Sequence, residues 1–286
     1  MSGKFQKINF ELDKLPTMPT VATQMLELIS SADASAEMLA RVVSKDAAVS
    51  ARVLKIANSS FYSMSRQVTT LSTAIVILGE RTLKNLVLAA SMRGMHQTFG
   101  PLEKMLWEDS MVCAIGSRFL ARKLALVDPE EAFMAGLFRH IGKVVLNLQY
   151  ANDADKKKLL AALYKSDRQG LEEQGQERAH FGATHAEIGA ALLEFWQLSE
   201  TLSLTTLHHA DVDLRGIEER NAVNLICVVN IAGELPRAFG IFGGTSEIDV
   251  AALLGVQALD LDAERVAELI EEFRVIFNEN RDEFLS

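Results

Sequence analysis

Between Met134 and Leu148 the chain reads MAGLFRHIGKVVLNL, with apolar residues at Phe133, Leu137, Ile141, Val144 and Leu148. That spacing holds one side of an α-helix against a core and predicts a single helix across the stretch. Two bulky polar residues, Arg139 and His140, interrupt the stripe, and Gly136 and Gly142 flank them. Glycine in a helix interior costs about 1 kcal/mol against alanine, so a pair of them requires close approach of another helix or of a ligand. The stretch therefore reads as the wall of a pocket. In a regular helix neighbouring side chains diverge by about 100°, so Arg139 and His140 do not both point at one centre without help from side-chain length and bending.

The same three- and four-residue spacing recurs along the chain, while strand-like alternation is almost absent. Of the 286 residues 49% are apolar, with only five prolines and seventeen glycines, which predicts an all-α globular protein with a large core in one or two domains. No apolar run reaches the roughly 18 residues of a membrane span. The N-terminus lacks the continuous apolar core of a signal peptide, so the cytoplasm is the expected location. Cys113 and Cys227 lie in apolar helical stretches and read as buried thiols rather than a disulfide.

A net charge of -9 argues against a generic nucleic-acid binder. The charge is uneven: Ser35–His96 holds eight basic and three acidic residues, and Asp260–Ser286 nine acidic and three basic. These read as solvated faces or, more sharply, as a docking surface for an acidic partner. Short helices in the first third resemble a helix-turn-helix, but such turns in all-α proteins are mostly packing.

Along the chain, residues 1–14 form a lead-in and Leu15-Pro16-Thr17-Met18-Pro19 opens a first helix. Ser35 and Asp46 are placed to cap the next two. Residues 59–70 read as an irregular connector, and Gly79 divides the apolar segments Leu71–Leu78 and Thr82–Met95. A long helix over Glu103–Leu126 precedes Asp128-Pro129-Glu130-Glu131, a strong helix start. Asp153–Lys165 and Arg168–Glu177 read as polar surface helices, and Gly182–Trp196 as an amphipathic one. Ser199 caps a helix ending near His208-His209, Asn221–Leu235 is an apolar helix closed by Pro236, and Asp262 caps a final amphipathic helix.

Four helices carry a polar residue inside their apolar stripe: Asp109, His140, His185 and Asn230. His208 and His209 end a fifth. A buried polar group without a partner costs roughly 1 to 3 kcal/mol. Each alone reads as a satisfied core residue; together they suggest groups that satisfy one another, hold water or face a ligand.

Two segments resemble the HDOD family, the HD-related output domains of bacterial signalling proteins. The first is Leu15-Pro16-Thr17-Met18-Pro19 followed by Val42–Asp46 and Arg52–Tyr62; the second runs from Thr73-Ala74-Ile75 through Leu78-Gly79 to Asn85-Leu86-Val87. Together with the regions C-terminal to them, the resemblance covers about residues 15–211. The second half is also similar to the HD metal-dependent phosphohydrolases, whose pattern is a His, a His-Asp pair, further His residues and a final Asp. Here Asp109 stands where the first His belongs, Arg139-His140 replaces His-Asp, His185 and His208-His209 match later His residues, and Asn230 replaces the last Asp.

The resemblance implies a small N-terminal helical subdomain (15–98) packed on an HD-like bundle (100–211), with helices over 212–286 completing the bundle. The substitutions imply a dismantled two-metal centre, because Arg139 has no lone pair to donate and Asn230 offers only a neutral oxygen. The expected site is a vestigial pocket of Asp109, Arg139, His140, His185, His208, His209 and Asn230, with no catalytic residue, metal or cofactor; a single metal on His140, His185, a later His and Asp109 stays open as an alternative. Arg139 suits an anion or an internal pair with Asp109. The implied function is a non-catalytic regulatory module that binds a signalling protein or a small anionic ligand, with no membrane partner and with nucleic acid, on the basic face between Arg41 and Arg93, only a third reading. The alternative is a metal-dependent phosphodiesterase with unorthodox ligands.

Overall fold

The computed structural model describes residues 15–29, 35–58, 67–95, 100–165, 170–243 and 247–285. Among these, every regular element is helical, as the spacing predicts. They divide into two compact units: one of residues 98–273 together with the segment ending at Pro16, the other of residues 17–97 and 274–286.

In the smaller unit, α1 (Thr20–Ile29), α2 (Ala36–Ser44), α3 (Ala47–Ala57) and α4 (Leu71–Gly94) pack together. The Ser35 hydroxyl accepts the N–H of Met38, and Asp46 accepts those of Ala48 and Val49, so both expected caps are present. Asn58 ends α3 by donating to the Leu54 and Val68 carbonyls and accepting the Val68 N–H. Residues 59–66 of the expected connector lie outside the described residues. Gly79 breaks α4 at φ 79°, ψ 161°, a conformation that suits glycine, and so divides the two apolar segments as expected. The sequence places 212–286 in one body; here that stretch divides after residue 273, because α16 (Arg281–Leu285) lies against α3.

The larger unit is built on α5 (Pro101–Leu124) and α6 (Pro129–Phe138), capped by Asp128 through the N–H groups of Glu130 and Glu131. The chain then runs through α7 (Ile141–Gln149), α8 (Ala154–Lys165), α9 (Gly170–Phe181), α10 (His185–Phe195), α11 (Glu200–His208) and α12 (Arg220–Ala232). α5 packs on α6 and α12, and α10 lies between α7 and α11. The indole of Trp196 donates to the Pro16 carbonyl at 2.9 Å, tying the incoming segment to this unit. α12 stops before Leu235, and Pro236, expected to close it, instead occupies the first turn of α13 (Leu235–Ala238), where its missing N–H costs nothing. A 3-10 turn at Val250–Ala252, α14 (Leu254–Ala258) and α15 (Ala263–Glu279) follow, the last started by Asp262, which accepts the Glu264 N–H. Both cysteines are free and buried.

The single helix expected over 134–148 is broken. α6 ends at Phe138, α7 begins at Ile141, and His140 sits at φ −109°, ψ 21°, near the sparsely allowed bridge region. The two glycines explain why the break is held. A Cβ on Gly136 would lie 2.7 Å from the Cys113 carbonyl of α5, and one on Gly142 would lie 1.9 Å from the His185 carbonyl of α10. Both helices therefore approach backbone to backbone, one on each side of Arg139-His140.

Gly142→Ala is expected to destabilise the larger unit by about 3 kcal/mol or more, since backbone cannot step aside as a side chain can. Gly175→Ala, on α9 with open space around it, is expected to be neutral or slightly stabilising. Urea unfolding of both variants checks the contrast, and equal midpoints would refute it.

Candidate functional site

The turn between α6 and α7 delivers two adjacent side chains to one place. Arg139, 4% exposed, donates from Nη2 to Asp109 Oδ1 at 2.6 Å and from Nη1 to the Gly233 carbonyl at 2.7 Å. Asp109, on the buried face of α5, turns its second oxygen to His140 Nδ1, also at 2.6 Å. The internal Arg139–Asp109 pair is the one the sequence suggests, and the break supplies the bending it requires.

His185 is the first residue of α10. A capping box fixes that terminus: Thr184 accepts the Glu187 N–H, and Glu187 accepts the Thr184 N–H. Glu177 of α9 receives both the backbone N–H and Nδ1 of His185 on one oxygen, each at 2.7 Å. At the end of α11, His209 donates from Nδ1 to the Thr206 carbonyl at 2.8 Å. A ring nitrogen from each of His140, His185 and His209 lies within 4.8 Å of the other two. They border a cavity of about 200 Å³ also lined by Asp109, Arg139 and Asn230.

Asn230 lines the cavity but is committed to the scaffold. Its amide donates to the His209 carbonyl at 2.9 Å and its oxygen accepts the Gly255 N–H at 2.8 Å. His208, expected in the pocket, is outside its lining and lies 3.3 Å from Asp211. Neighbouring residues at a helix end point in different directions, so only His209 of the pair faces inward.

α9, which reads in the sequence as a polar surface helix, buries Glu173 and Glu177. Glu173 accepts Lys143 at 2.8 Å, and the Lys143 ammonium sits 4.7 Å above the Tyr164 ring. None of Lys143, Tyr164, Glu173 and Glu177 stands out in the sequence. The usable clue is spacing: Lys143 follows His140 by three residues, and Glu173 and Glu177 share a helix face four residues apart.

Burial dominates the electrostatics. It pushes all three imidazoles well below the ordinary histidine range, and the charges of Arg139 and Lys143 add to the effect at each. The three are therefore neutral at pH 7, and the contacts of His140 with Asp109 and of His185 with Glu177 are hydrogen bonds rather than ion pairs. Burial raises the Glu177 carboxyl to about 7, against the opposing pull of Lys143 and the His185 N–H. It also opposes the charge of Arg139, but Asp109 outweighs it and holds the guanidinium above its ordinary value. Burial lifts the Cys113 thiol to about 11, which leaves it protonated and inert.

This arrangement does not fit a two-metal centre. Both oxygens of Asp109 and both ends of Asn230 are taken, and a buried guanidinium stands beside them. Three neutral imidazoles do fit a single ion. Such an ion would supply Lewis acidity and a coordination position for a further ligand.

Comparison with known proteins bears on the fold and the family. The solved structure of an HDOD domain protein of unknown function from Geobacter sulfurreducens has a TM-score of 0.70 and 22% identity, covering 95% of this chain and 94% of that one. That of a candidate phosphohydrolase from Shewanella amazonensis also has a TM-score of 0.70, with 23% identity over 96% of each chain. At such identities the likeness is one of fold. An uncharacterized protein of Treponema pallidum is 24% identical over 235 residues, 79% of this chain; the chain spans 44% of that relative's length. No helix among the described residues is long and apolar enough to cross a membrane. The HDOD domain pattern itself matches residues 15–212, from the Leu-Pro opening through α11 and its terminal His208-His209, and the chain thus belongs to the HDOD domain family.

Proposed function

We propose that this chain is a non-catalytic regulatory module of signal transduction, in which a degenerate HD pocket acts by binding a ligand or a signalling partner rather than by turnover. The observation that carries this reading is the Arg139 guanidinium. It lies within the pocket, neutralises Asp109 and is anchored to the Gly233 carbonyl. A hydrolytic HD centre needs carboxylate oxygens free to hold ions and to receive the proton of the attacking water. In this pocket the Asp109 oxygens are occupied by Arg139 and His140. The buried pair also resists replacement by solvent, which suits a fixed recognition surface more than a site that cycles through protonation states.

A second reading, a phosphodiesterase on unorthodox ligands, draws support from one observation, the clustering of three neutral imidazoles. One assay separates the two. Purified protein is incubated with bis(p-nitrophenyl) phosphate and with a cyclic dinucleotide, each with added manganese, zinc or ferrous iron. The regulatory reading expects no release above the protein-free control. Turnover that His140→Ala abolishes would establish the phosphodiesterase and overturn it.

A further inference from the structure

The two inward nitrogens of His185 and His209 pose a problem that the protein alone does not solve. His209 Nδ1 faces a carbonyl, which can only accept, so that nitrogen carries the proton and Nε2 carries a lone pair. His185 Nδ1 faces the Glu177 oxygen that already accepts the His185 backbone N–H, so it too is placed to donate, and its Nε2 carries a lone pair. These two Nε2 atoms lie 3.4 Å apart. Two acceptors face each other at hydrogen-bond range with no hydrogen to share. A cation held by both lone pairs resolves the contact.

We infer that His140, His185 and His209 form a binding site for one divalent transition-metal ion. Three features support this. First, 3.4 Å is the nitrogen–nitrogen edge expected of a tetrahedral ion with bonds of about 2.0–2.1 Å. Second, each imidazole has its other ring nitrogen engaged by an acceptor: Asp109 for His140, Glu177 for His185 and the Thr206 carbonyl for His209. That outer ring of acceptors is how ligating histidines are held in tautomer and orientation. Third, the ligands come from the α6–α7 turn, the first turn of α10 and the end of α11, elements already locked by Gly142, the Thr184 capping box and Asn230. The His185–His209 edge is thus already in place, and the ring nitrogens, within 4.8 Å of one another, close on the ion by side-chain adjustment.

The donor set names the class of ion. Three imidazoles suit zinc, ferrous iron, cobalt, nickel or copper, whereas magnesium and calcium prefer oxygen. Three protein ligands leave a tetrahedral ion one further position, for water or for an atom of the pocket's ligand. The ion would belong to the recognition surface of the regulatory pocket, but the site stands whether or not that pocket hydrolyses anything.

The test uses the full chain, stripped with chelator and then titrated with zinc and with cobalt. About one ion per chain is expected in calorimetry, with the intense visible bands of tetrahedral cobalt and a rise in thermal midpoint. His209→Ala and His140→Ala are each expected to weaken binding by about 100-fold or more, while His180→Ala, on the exposed end of α9, leaves it unchanged. Absence of stoichiometric binding by the wild-type chain would overturn the site, and that measurement does not depend on any variant folding. So would wild-type affinity in both pocket variants, or a preference for magnesium over zinc. Hydrolysis by the loaded protein would defeat the non-catalytic reading and leave the metal site intact; a metal-free chain that hydrolyses nothing would do the reverse.

Discussion

Asp109→Ala is expected to lower the folding stability of the chelator-treated protein by about 3–5 kcal/mol, among the largest effects available to a single substitution here. The side chains of Asp109 and Arg139 are 2% and 5% exposed, and their charges meet at 2.6 Å. Removing the carboxylate leaves the guanidinium buried without its counter-charge, held by the Gly233 carbonyl, and strips His140 of its Nδ1 acceptor. The penalty comes mainly from the orphaned charge rather than from the worth of the pair itself. Hence Asp109→Ala combined with Arg139→Met, which removes both charges and keeps apolar volume, is expected to recover most of the loss. Urea unfolding of the wild type, both single variants and the double variant gives the coupling directly. A single-variant loss below about 1 kcal/mol, or a double variant that is simply the sum of the two, would show that water reaches the pair and that the pocket is not dry.

The architecture is largely legible in the residues because helix starts are local chemistry. Ser35, Asp46, Asp128 and Ser199 all cap the helices their positions predict. The site is legible only in part. Asp109, His140, His185 and Asn230, each inside an apolar stripe, together with the helix-ending His208-His209, point to the pocket. The break at Arg139-His140 is not visible, because the apolar residues on either side keep a helical spacing across it. What breaks the helix is tertiary: backbone of α5 and α10 pressing on Gly136 and Gly142. The acids of α9 escape notice for a related reason. Glu173 and Glu177 look like solvated charge along a polar helix, and only the fold shows that their side faces Lys143 and His185. Choosing between His208 and His209 likewise requires knowing which way α11 ends.

Stability of the metal-free chain is expected to fall steeply as pH drops below about 6.5. His140, His185 and His209 are neutral in the folded state because burial, with Arg139 and Lys143 facing them, places their protonation well below that of a free imidazole. In the unfolded chain each takes a proton near pH 6.5. Below that pH the unfolded state binds three protons that the folded state refuses, and stability is lost as pH falls. Glu177 works the other way. Its folded carboxyl, set by burial against Lys143 and the His185 N–H, titrates at about 7 rather than 4.5, so between those values the folded state holds one proton more. The net is three less one, or two protons. Each proton corresponds to about 1.4 kcal/mol per pH unit, so the decline between pH 6 and 5 is at most about 2.7 kcal/mol per unit. His209→Gln removes one of the three and is expected to halve the slope. Saturating zinc, bound by the folded state only, is expected to raise stability across this range and leave the slope unchanged, because the folded imidazoles are already neutral without it. Urea midpoints measured at half-unit steps from pH 7.5 to 5 test all three slopes. A flat profile in the metal-free protein would mean that the imidazoles accept protons without unfolding, and hence that the pocket opens to water as a whole.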